Sequence, residues 1–256
     1  MSKNQIEQLK DFIEKRRMRS NEKGRSLSVS IDKMSYSNSV SVGSYNKKFD
    51  NALFVGVGHG HDVLMHLING YVDKVDGVDP YYALDGNDDL DYENLVNLTQ
   101  DLGLNERLTI YKETIQTYLS NCKKNYDLIV LPDVLHHIFV TEKLLSHSEC
   151  FDECVNLFQN FYDKTDNQCD LLISDAPRFG LRANLSKKGV INSHVNYRTK
   201  QPSVEWKLAA EKAGWTHKST EFYIPYALRQ LSIILKIPVF SWIISNRYFI
   251  RFKKIN

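Results

Sequence analysis

Three glycines in the segment ALFVGVGHGHDVLMHLI have the spacing of a ligand-binding loop. They follow a short apolar run, and the apolar residues after them recur at helical spacing. The glycines are Gly56, Gly58 and Gly60, and the apolar helix face is Val63, Leu64, Leu67 and Ile68. Glycine lets the backbone turn sharply beside a ligand, and a helix N-terminus offers unpaired N–H groups. The pattern predicts a nucleotide-type site; a tight turn without a ligand is the alternative.

An acid follows the next apolar run, KVDGVD. Asp79 comes 19 residues after Gly60, where a carboxylate can accept hydrogen bonds from both hydroxyls of a ribose. The bland alternative is an acid that opens the turn before Pro80. The glycine spacing is GxGxG, whereas the dinucleotide fingerprint GxGxxG would need a glycine at His61. This spacing counts against NAD.

Polar residues also follow the third and fourth apolar runs. Glu113 and Thr114 come just after RLTIY, beside the position expected for an adenine. The next segment, NYDLIVLPDVLHHIF, ends a predicted strand at the edge where open α/β sheets bind ligands. The residues it delivers there are Pro132, Asp133, His136 and His137.

Together, the glycine loop, the acid after the second strand and the DVLHHI segment resemble the class I S-adenosylmethionine-dependent methyltransferase superfamily, over about Ala52 to Ser174. The resemblance implies S-adenosyl-L-methionine as the cofactor. It implies that the loop holds the methionine part and that Asp79 holds the ribose. By the same resemblance, Glu113 and Thr114 contact the adenine, and Pro132 and Asp133 line the cofactor near its methyl group.

The chain departs from that family at one position. Many members carry Asp or Glu two residues before the first glycine, and this sequence has Phe54 there. The carboxylate that usually helps to hold the cofactor's amino group is therefore missing. His59 and His61 in the loop could supply polar contacts instead.

Methyl transfer from a sulfonium is an in-line displacement, and a hydroxyl acceptor benefits from a general base. We expect His136 or His137 to be that base, because histidine titrates near neutrality. The alternative is that these histidines pack under the cofactor or cap a helix. Further candidates around the acceptor are Asp175, His194, Tyr197 and Arg198. No metal is expected, since nothing in the spacing of His59, His61, Asp62 and His136 demands one.

Five apolar runs, separated by segments of helical length, must position these residues. The runs are ALFVGV, KVDGVD, RLTIY, YDLIVL and CDLLIS, and FYIPY and YFIRF are read as two later strands. Strands that alternate with helices indicate parallel βαβ units. The predicted fold is α/β: a Rossmann-like, seven-stranded, mostly parallel sheet with helices on both faces and a C-terminal antiparallel strand.

Residues 1–50 are expected to form an N-terminal helix, Gln5 to Met18, and a cap region. From Leu27 to Tyr45, serines alternate with apolar residues, which predicts short strands or an extended cap rather than a helix. Residues 51–256 would be the methyltransferase domain, with a hydrophobic and basic insertion at 227–247 that forms one or two helices.

The charge balance and the cysteine content bear on the protein's partners and on its cellular compartment. Lys and Arg number 33 against 31 Asp and Glu, and a nucleic-acid partner is not supported. The start MSKNQIEQLK lacks a secretory signal and the four cysteines include no CxxC pair, so we expect a cytoplasmic protein with reduced thiols. The apolar stretch Leu231 to Ser245 is too short, and too interrupted, for a spanning helix.

Residues 229–254 combine that apolar stretch with basic flanks. The segment could pack on the sheet, form a homodimer surface, or contact a membrane that carries a lipid-linked substrate. The predicted function is methyl transfer to a small molecule, at oxygen of a sugar, glycolipid or natural-product hydroxyl. The alternatives are an NAD-dependent oxidoreductase and a non-catalytic S-adenosylmethionine-binding protein.

Overall fold

The computed structural model describes residues 3–22, 31–82, 89–189, 196–231, 245 and 247–255. Its strands are β1 (Phe49–Val55), β2 (Val72–Val78), β3 (Leu108–Tyr111), β4 (Tyr126–Pro132), β5 (Thr165–Asp175), β6 (Thr216–Phe222) and β7 (Tyr248–Lys253). They form one seven-stranded sheet in the order β3-β2-β1-β4-β5-β7-β6. All five predicted strands between Ala52 and Ser174 are confirmed, with small shifts of their ends.

The pairing is mostly parallel. β2 runs parallel to β3, and β4 parallel to β5, whereas β7 is antiparallel to both β5 and β6. The central runs are apolar because both faces of such a sheet are covered, and Leu128 to Leu131 in β4 are all buried. The predicted Rossmann-like, mostly parallel sheet with an antiparallel strand near the end of the chain is confirmed.

Helices surround the sheet. They are α1 (Lys3–Glu22), α2 (Ile31–Val40), α3 (His61–Ile68), α4 (Asp89–Asp101), α5 (Ile115–Asn121), α6 (Leu135–Ile138), α7 (Cys150–Asp163), α8 (Leu181–Lys187) and α9 (Ser203–Lys212). Their buried faces follow the helical period: α7 buries Cys154, Leu157, Phe158 and Phe161. In the described part of the chain, no helix is long and apolar enough to cross a bilayer.

The expected strands of the cap region are wrong. Residues 31–40 form α2 and Val42–Tyr45 form a 3-10 turn, while residues 23–30 lie outside the described residues. The alternation of serine and apolar residues predicted a strand, but the buried positions, Met34 and Asn38, are one helical turn apart. Serine hydroxyls bond back to nearby carbonyls, as Ser39 Oγ does to Tyr36 at 2.8 Å.

Near the end of the chain, YFIRF is confirmed as β7, but FYIPY is not a strand. The partner of β7 is the preceding THKSTEF, and β6 ends at Phe222. This sequence is polar because β6 lies at the sheet edge, where one side meets solvent. Of the predicted insertion, Tyr226–Leu231 forms a 3-10 turn, and residues 232–244 and 246 lie outside the described residues. The division at residue 50 stays a prediction.

Backbone contacts divide the chain into two compact units. The first comprises Met1–Ala52 and Val57–Glu113, and its core includes the apolar face of α3 and Leu95 of α4. The second comprises Leu53–Gly56 and Thr114–Asn256, and its core is built on Phe158, Trp206 and Trp215. The candidate site residues are therefore described unit by unit.

Candidate active site

The glycine loop adopts a backbone that only glycine accepts without strain. Gly56 and Gly60 have φ angles of 78° and 75°. Space forbids a side chain as well, since a Cβ on Gly60 would lie 2.2 Å from Leu95 and one on Gly56 would lie 2.6 Å from Val134. The loop is closed by the Gly60 N–H, which donates to the Val57 carbonyl at 2.9 Å. Both glycines are thus required by conformation and by packing.

The Asp79 carboxylate accepts hydrogen bonds from two backbone N–H groups of the first unit. The carboxylate is buried, and Oδ2 accepts the Gly58 N–H at 2.8 Å. Oδ1 accepts the Tyr81 N–H, also at 2.8 Å, which makes residues 79–81 an Asx turn. The predicted loop and the predicted acid are therefore joined directly by a hydrogen bond.

Tyr81 completes this arrangement, and the sequence interpretation missed it. Its hydroxyl donates to the Gly58 carbonyl at 2.9 Å, so both backbone polar groups of Gly58 are held. Burial, and then the charge of Asp79, raise the pKa of Tyr81, which keeps the hydroxyl protonated as a donor. A signal existed, because a residue two positions after an aspartate is where an Asx turn places its N–H.

The two loop histidines contact other groups of the same unit. His59 Nδ1 lies 2.9 Å from a carboxylate oxygen of Asp91. The His61 ring packs edge-on against Phe12, with centroids 5.7 Å apart. Their predicted contacts to the cofactor stay predictions.

Three other predicted positions have clear structural surroundings. Phe54, the departure from the superfamily that the sequence resembles, is fully buried in β1. Thr114 caps α5, since its Oγ1 accepts the Thr117 N–H at 3.2 Å, and Glu113 lies half-buried just before it. The predicted adenine contacts of Glu113 and Thr114 stay predictions.

In the second unit, Pro132 ends β4 and pairs with Ser174 of β5. Asp133 follows in a left-handed conformation, φ 51°, with its N–H donating to the Ser174 carbonyl at 2.8 Å. Its carboxylate forms an ion pair with the Arg247 guanidinium, and about a third of each side chain is exposed, 31% and 34%. Arg247 could not be found from local spacing, because it lies 114 residues away.

His136 belongs to a buried network of three side chains. Its Nδ1 lies 3.1 Å from Asp175 Oδ2, and its Nε2 accepts a hydrogen bond from the Lys200 ammonium. Lys200 also donates to Asp175 Oδ1 at 3.3 Å. The exposed fractions are 7% for His136, 0% for Asp175 and 7% for Lys200. Asp175 was a sequence candidate, whereas Lys200, 64 residues from His136, was missed.

The charges of this network compensate one another. Burial alone would raise the pKa of Asp175, but the hydrogen bond from His136 and the nearby charge of Lys200 outweigh it and hold that pKa below its usual value. Assigning the proton of a neutral His136 to Nδ1 satisfies all three partners, with Asp175 as acceptor and Lys200 as donor. The network then contains one anion and one cation and no unpaired charge.

The remaining sequence candidates have different surroundings. His137 is exposed, although its ring centroid lies 4.1 Å from that of His136. Tyr197 is buried and Arg198 is exposed. His194 lies outside the described residues. Across the described ranges, no three His, Cys, Asp or Glu side chains are grouped to hold a metal ion.

Comparison with solved structures gives the class of the fold. The plantazolicin methyltransferase BpumL, in complex with SAH, superposes with a TM-score of 0.56 at 13% identity, covering 98% of this chain and 95% of that one. The N-methyltransferase NodS from Bradyrhizobium japonicum WM9 gives 0.52 at 10% identity, with 87% and 94% covered. The mitomycin 7-O-methyltransferase MmcR gives 0.56 at 13% identity, with 89% and 54% covered, so the chain spans about half of its length.

No protein-family model matches the chain, and no curated protein matches it by sequence. The structural matches nevertheless agree with one another, since BpumL and NodS are both named methyltransferases. The chain has the fold of the class I S-adenosylmethionine-dependent methyltransferases. The resemblance stated from the sequence is confirmed at the level of fold.

Proposed function

We propose that this protein is a methyltransferase that uses S-adenosyl-L-methionine and acts on a small molecule. The observation that carries the proposal is the bond between Gly58 and Asp79, which joins a glycine loop to an acid at the end of the next strand. The fold shared with methyltransferases supports it. A strand-to-helix turn without a ligand would not need a buried carboxylate fixed against the loop.

The residues present fit this cofactor. Each carboxylate oxygen of Asp79 accepts a backbone N–H, and an ionised carboxylate is an acceptor-only group with about four lone-pair sites, which suits the hydroxyls of a ribose. Gly58 and Gly60 keep side chains away from the loop, where the methionine part would be held. Pro132 and Asp133 would line the cofactor near its methyl group. When bound, S-adenosylmethionine supplies an electrophilic methyl on a sulfonium.

Asp175 and His136 supply the acid–base part of the proposal. Asp175 holds the His136 proton on Nδ1, which leaves the Nε2 lone pair to accept a proton from the acceptor. Lys200 now donates to that lone pair. His136 can therefore act as a base only when the acceptor's own X–H group replaces the Lys200 ammonium as the donor.

Calorimetry with S-adenosylhomocysteine and with NAD tests the proposal directly. We expect binding of S-adenosylhomocysteine, and Asp79→Ala should weaken it at least about tenfold, because charge-assisted hydrogen bonds are lost. Asp73→Ala is the control, since Asp73 lies on the same strand with an exposed ion pair to Lys48. Binding of NAD alone would favour an oxidoreductase and contradict the proposal.

The acceptor is proposed from the sequence as a sugar, glycolipid or natural-product hydroxyl. Of the proteins with this fold, NodS is named an N-methyltransferase and MmcR a 7-O-methyltransferase, so the fold does not select the acceptor atom. A metabolite screen that follows cofactor turnover in His136→Ala, with exposed His137→Ala as the control, would identify both acceptor and base. If S-adenosylhomocysteine binds but no acceptor drives cofactor turnover, the result favours the alternative of a non-catalytic S-adenosylmethionine-binding protein.

Residues 229–254 were predicted as a surface segment, but Tyr248–Lys253 forms the buried strand β7 and is excluded from that role. The part before β7 carries three further proposals: a cytoplasmic enzyme that meets a membrane surface through it, one that forms a homodimer through it, or one that packs it on the sheet. Vesicle flotation of the intact chain and of a chain lacking Leu231 to Ser245 separates the first from the others. Equal absence of binding would remove the membrane contact. Light scattering of the same two proteins would test the dimer.

A further inference from the structure

Three basic residues form a group in the second unit, which we call the cationic cluster: Arg178, Lys187 and Arg198. Arg178 and Lys187 are gathered on one aromatic ring. The Arg178 guanidinium lies 5.9 Å from the centroid of Phe179, and Lys187 Nζ lies 5.2 Å from it. Arg198 is close enough to act electrostatically on Lys187. The cluster therefore concentrates positive charge around one ring.

Among the residues that the structure describes, no acid is paired with the cationic cluster. Arg178 donates to the Lys143 carbonyl at 2.9 Å and to the Glu142 carbonyl, and Lys187 donates to the Arg178 carbonyl at 2.9 Å. These contacts place the side chains but bring no negative charge. Within the described ranges of the chain, none of the three cluster residues forms an ion pair.

Another lysine of the same unit shows the usual arrangement. Lys212 lies 5.0 Å from the ring centroid of Phe151, and it also pairs with Asp152 at 3.0 Å. In the cationic cluster, no carboxylate of the described part of the chain takes this place. Partial burial, and then the charges of Arg178 and Arg198, lower the pKa of Lys187, as expected where like charges meet without a counter-ion.

The cationic cluster adjoins two of the three chain segments that form the buried network, those of Asp175 and Lys200. Arg178 is three residues after Asp175, so their Cα atoms are at most about 11 Å apart. Arg198 is two residues before Lys200, a span of at most about 7 Å. The cluster is thus tied to the same two segments that hold the proposed base, His136.

We propose that the cationic cluster binds an anionic group, a phosphate or carboxylate, on the methyl acceptor. Guanidinium and ammonium groups suit such oxyanions. Phe179 and Leu181, which are 44% and 53% exposed, offer an apolar surface to the rest of that molecule. The acceptor is then an anionic molecule with an apolar part. This inference rests on the proposed function, because it assigns a substrate class to the same enzyme.

Phenyl phosphate is the probe, since it combines an oxyanion with a small apolar ring, and phenol is its neutral counterpart. Ligand-observed NMR at low ionic strength would measure both with the full chain, with Lys187→Gln/Arg198→Gln, and with Lys212→Gln. The double variant spares Arg178, whose hydrogen bonds support the local fold. We expect phenyl phosphate to bind at least tenfold more weakly to the double variant and normally to Lys212→Gln. Phenol should not distinguish the three proteins.

Two further arms make the outcomes distinct. All three proteins should bind S-adenosylhomocysteine equally; if none binds it, the proposed function fails and the acceptor assignment falls with it, whatever phenyl phosphate does. Equal binding of phenyl phosphate to wild type and double variant overturns the inference even if the cofactor product binds. Failure of the wild-type protein to bind phenyl phosphate overturns the inference as well. If that protein instead binds phosphatidylglycerol vesicles but not phosphatidylcholine vesicles, the cluster is a membrane contact.

Discussion

The Lys200 ammonium donates to Nε2 of His136, and both side chains are buried. Asp175 takes the other ring nitrogen, so a histidine that the sequence suggests as a base has both nitrogens engaged. A free lone pair arises only when Lys200 moves away. Under the proposed function, acceptor binding would be coupled to exposure of the base, because a donor on the acceptor would have to take the place of the lysine.

Lys200→Met should lower the free energy of unfolding by about 3 kcal/mol, because it removes one partner of a buried ion pair. Urea unfolding would measure this. Combined with Asp175→Asn, the loss should be smaller than the sum of the two single losses by about 1 kcal/mol or more. Lys207→Met is the control, since the exposed pair of Lys207 with Glu211 contributes about 0.5 kcal/mol or less. Strict additivity would contradict the network.

The lowered pKa of Asp175 predicts how stability depends on pH. Its stabilisation is fully present above the carboxyl's unfolded pKa of about 3.9 and is lost as the pH falls through the lower, folded value. The stability gap between wild type and Asp175→Asn should therefore be constant between about pH 7 and pH 5 and shrink below about pH 4. Urea midpoints at three pH values would show it. A gap that grows on acidification would mean that burial, and not its cationic neighbours, dominates this carboxyl.

Gly60→Ala should lower the free energy of unfolding by about 1–3 kcal/mol more than Gly70→Ala does. Both glycines have positive φ, 75° and 73°, so the backbone strain is the same. Only at Gly60 would the new Cβ meet another side chain, Leu95, whereas nothing lies within 4 Å at Gly70. Thermal unfolding of the two variants isolates the packing part of the cost. Equal losses would show that the space around Gly60 adapts.

Tyr81→Phe removes the hydroxyl that holds the Gly58 carbonyl while leaving the N–H of residue 81 on Asp79. We expect a loss of about 1 kcal/mol in stability. Affinity for S-adenosylhomocysteine should also fall, because the loop is less well ordered before binding. Tyr92→Phe is the comparison, since its ring packs against Tyr81 at 5.3 Å. If the two variants have equal affinity, the Tyr81 hydroxyl does not prepare the loop.

Local patterns predicted most of the fold because the central strands are short apolar runs and α3 has a regular apolar face. The pattern of apolar residues gave a wrong prediction for residues 31–45, where a strand-like period of two and a helical period overlap. It also favoured FYIPY over the polar THKSTEF that forms the edge strand β6. Edge strands lack the apolar pattern on which the prediction depends. Local composition does not mark such a strand.

The candidate site divides in the same way. Gly58, Asp79 and His136 were found because each lies at the end of a predicted strand or in the segment that follows it. Lys200 and Arg247 were missed because their partners lie 64 and 114 residues away, and nothing in local spacing records a contact made only by the folded chain. Tyr81 differs, since its Asx turn is local and could have been predicted.

The position of β7 has a consequence for synthesis. β7 pairs with β5 on one side and with β6 on the other, yet both of those strands leave the ribosome before it. Until Tyr248–Lys253 emerges, β5 and β6 each present an open backbone edge, and such edges invite pairing with other chains. Translation that stalls before this strand should therefore yield an aggregation-prone nascent chain, because β6 is joined to the rest of the sheet only through β7.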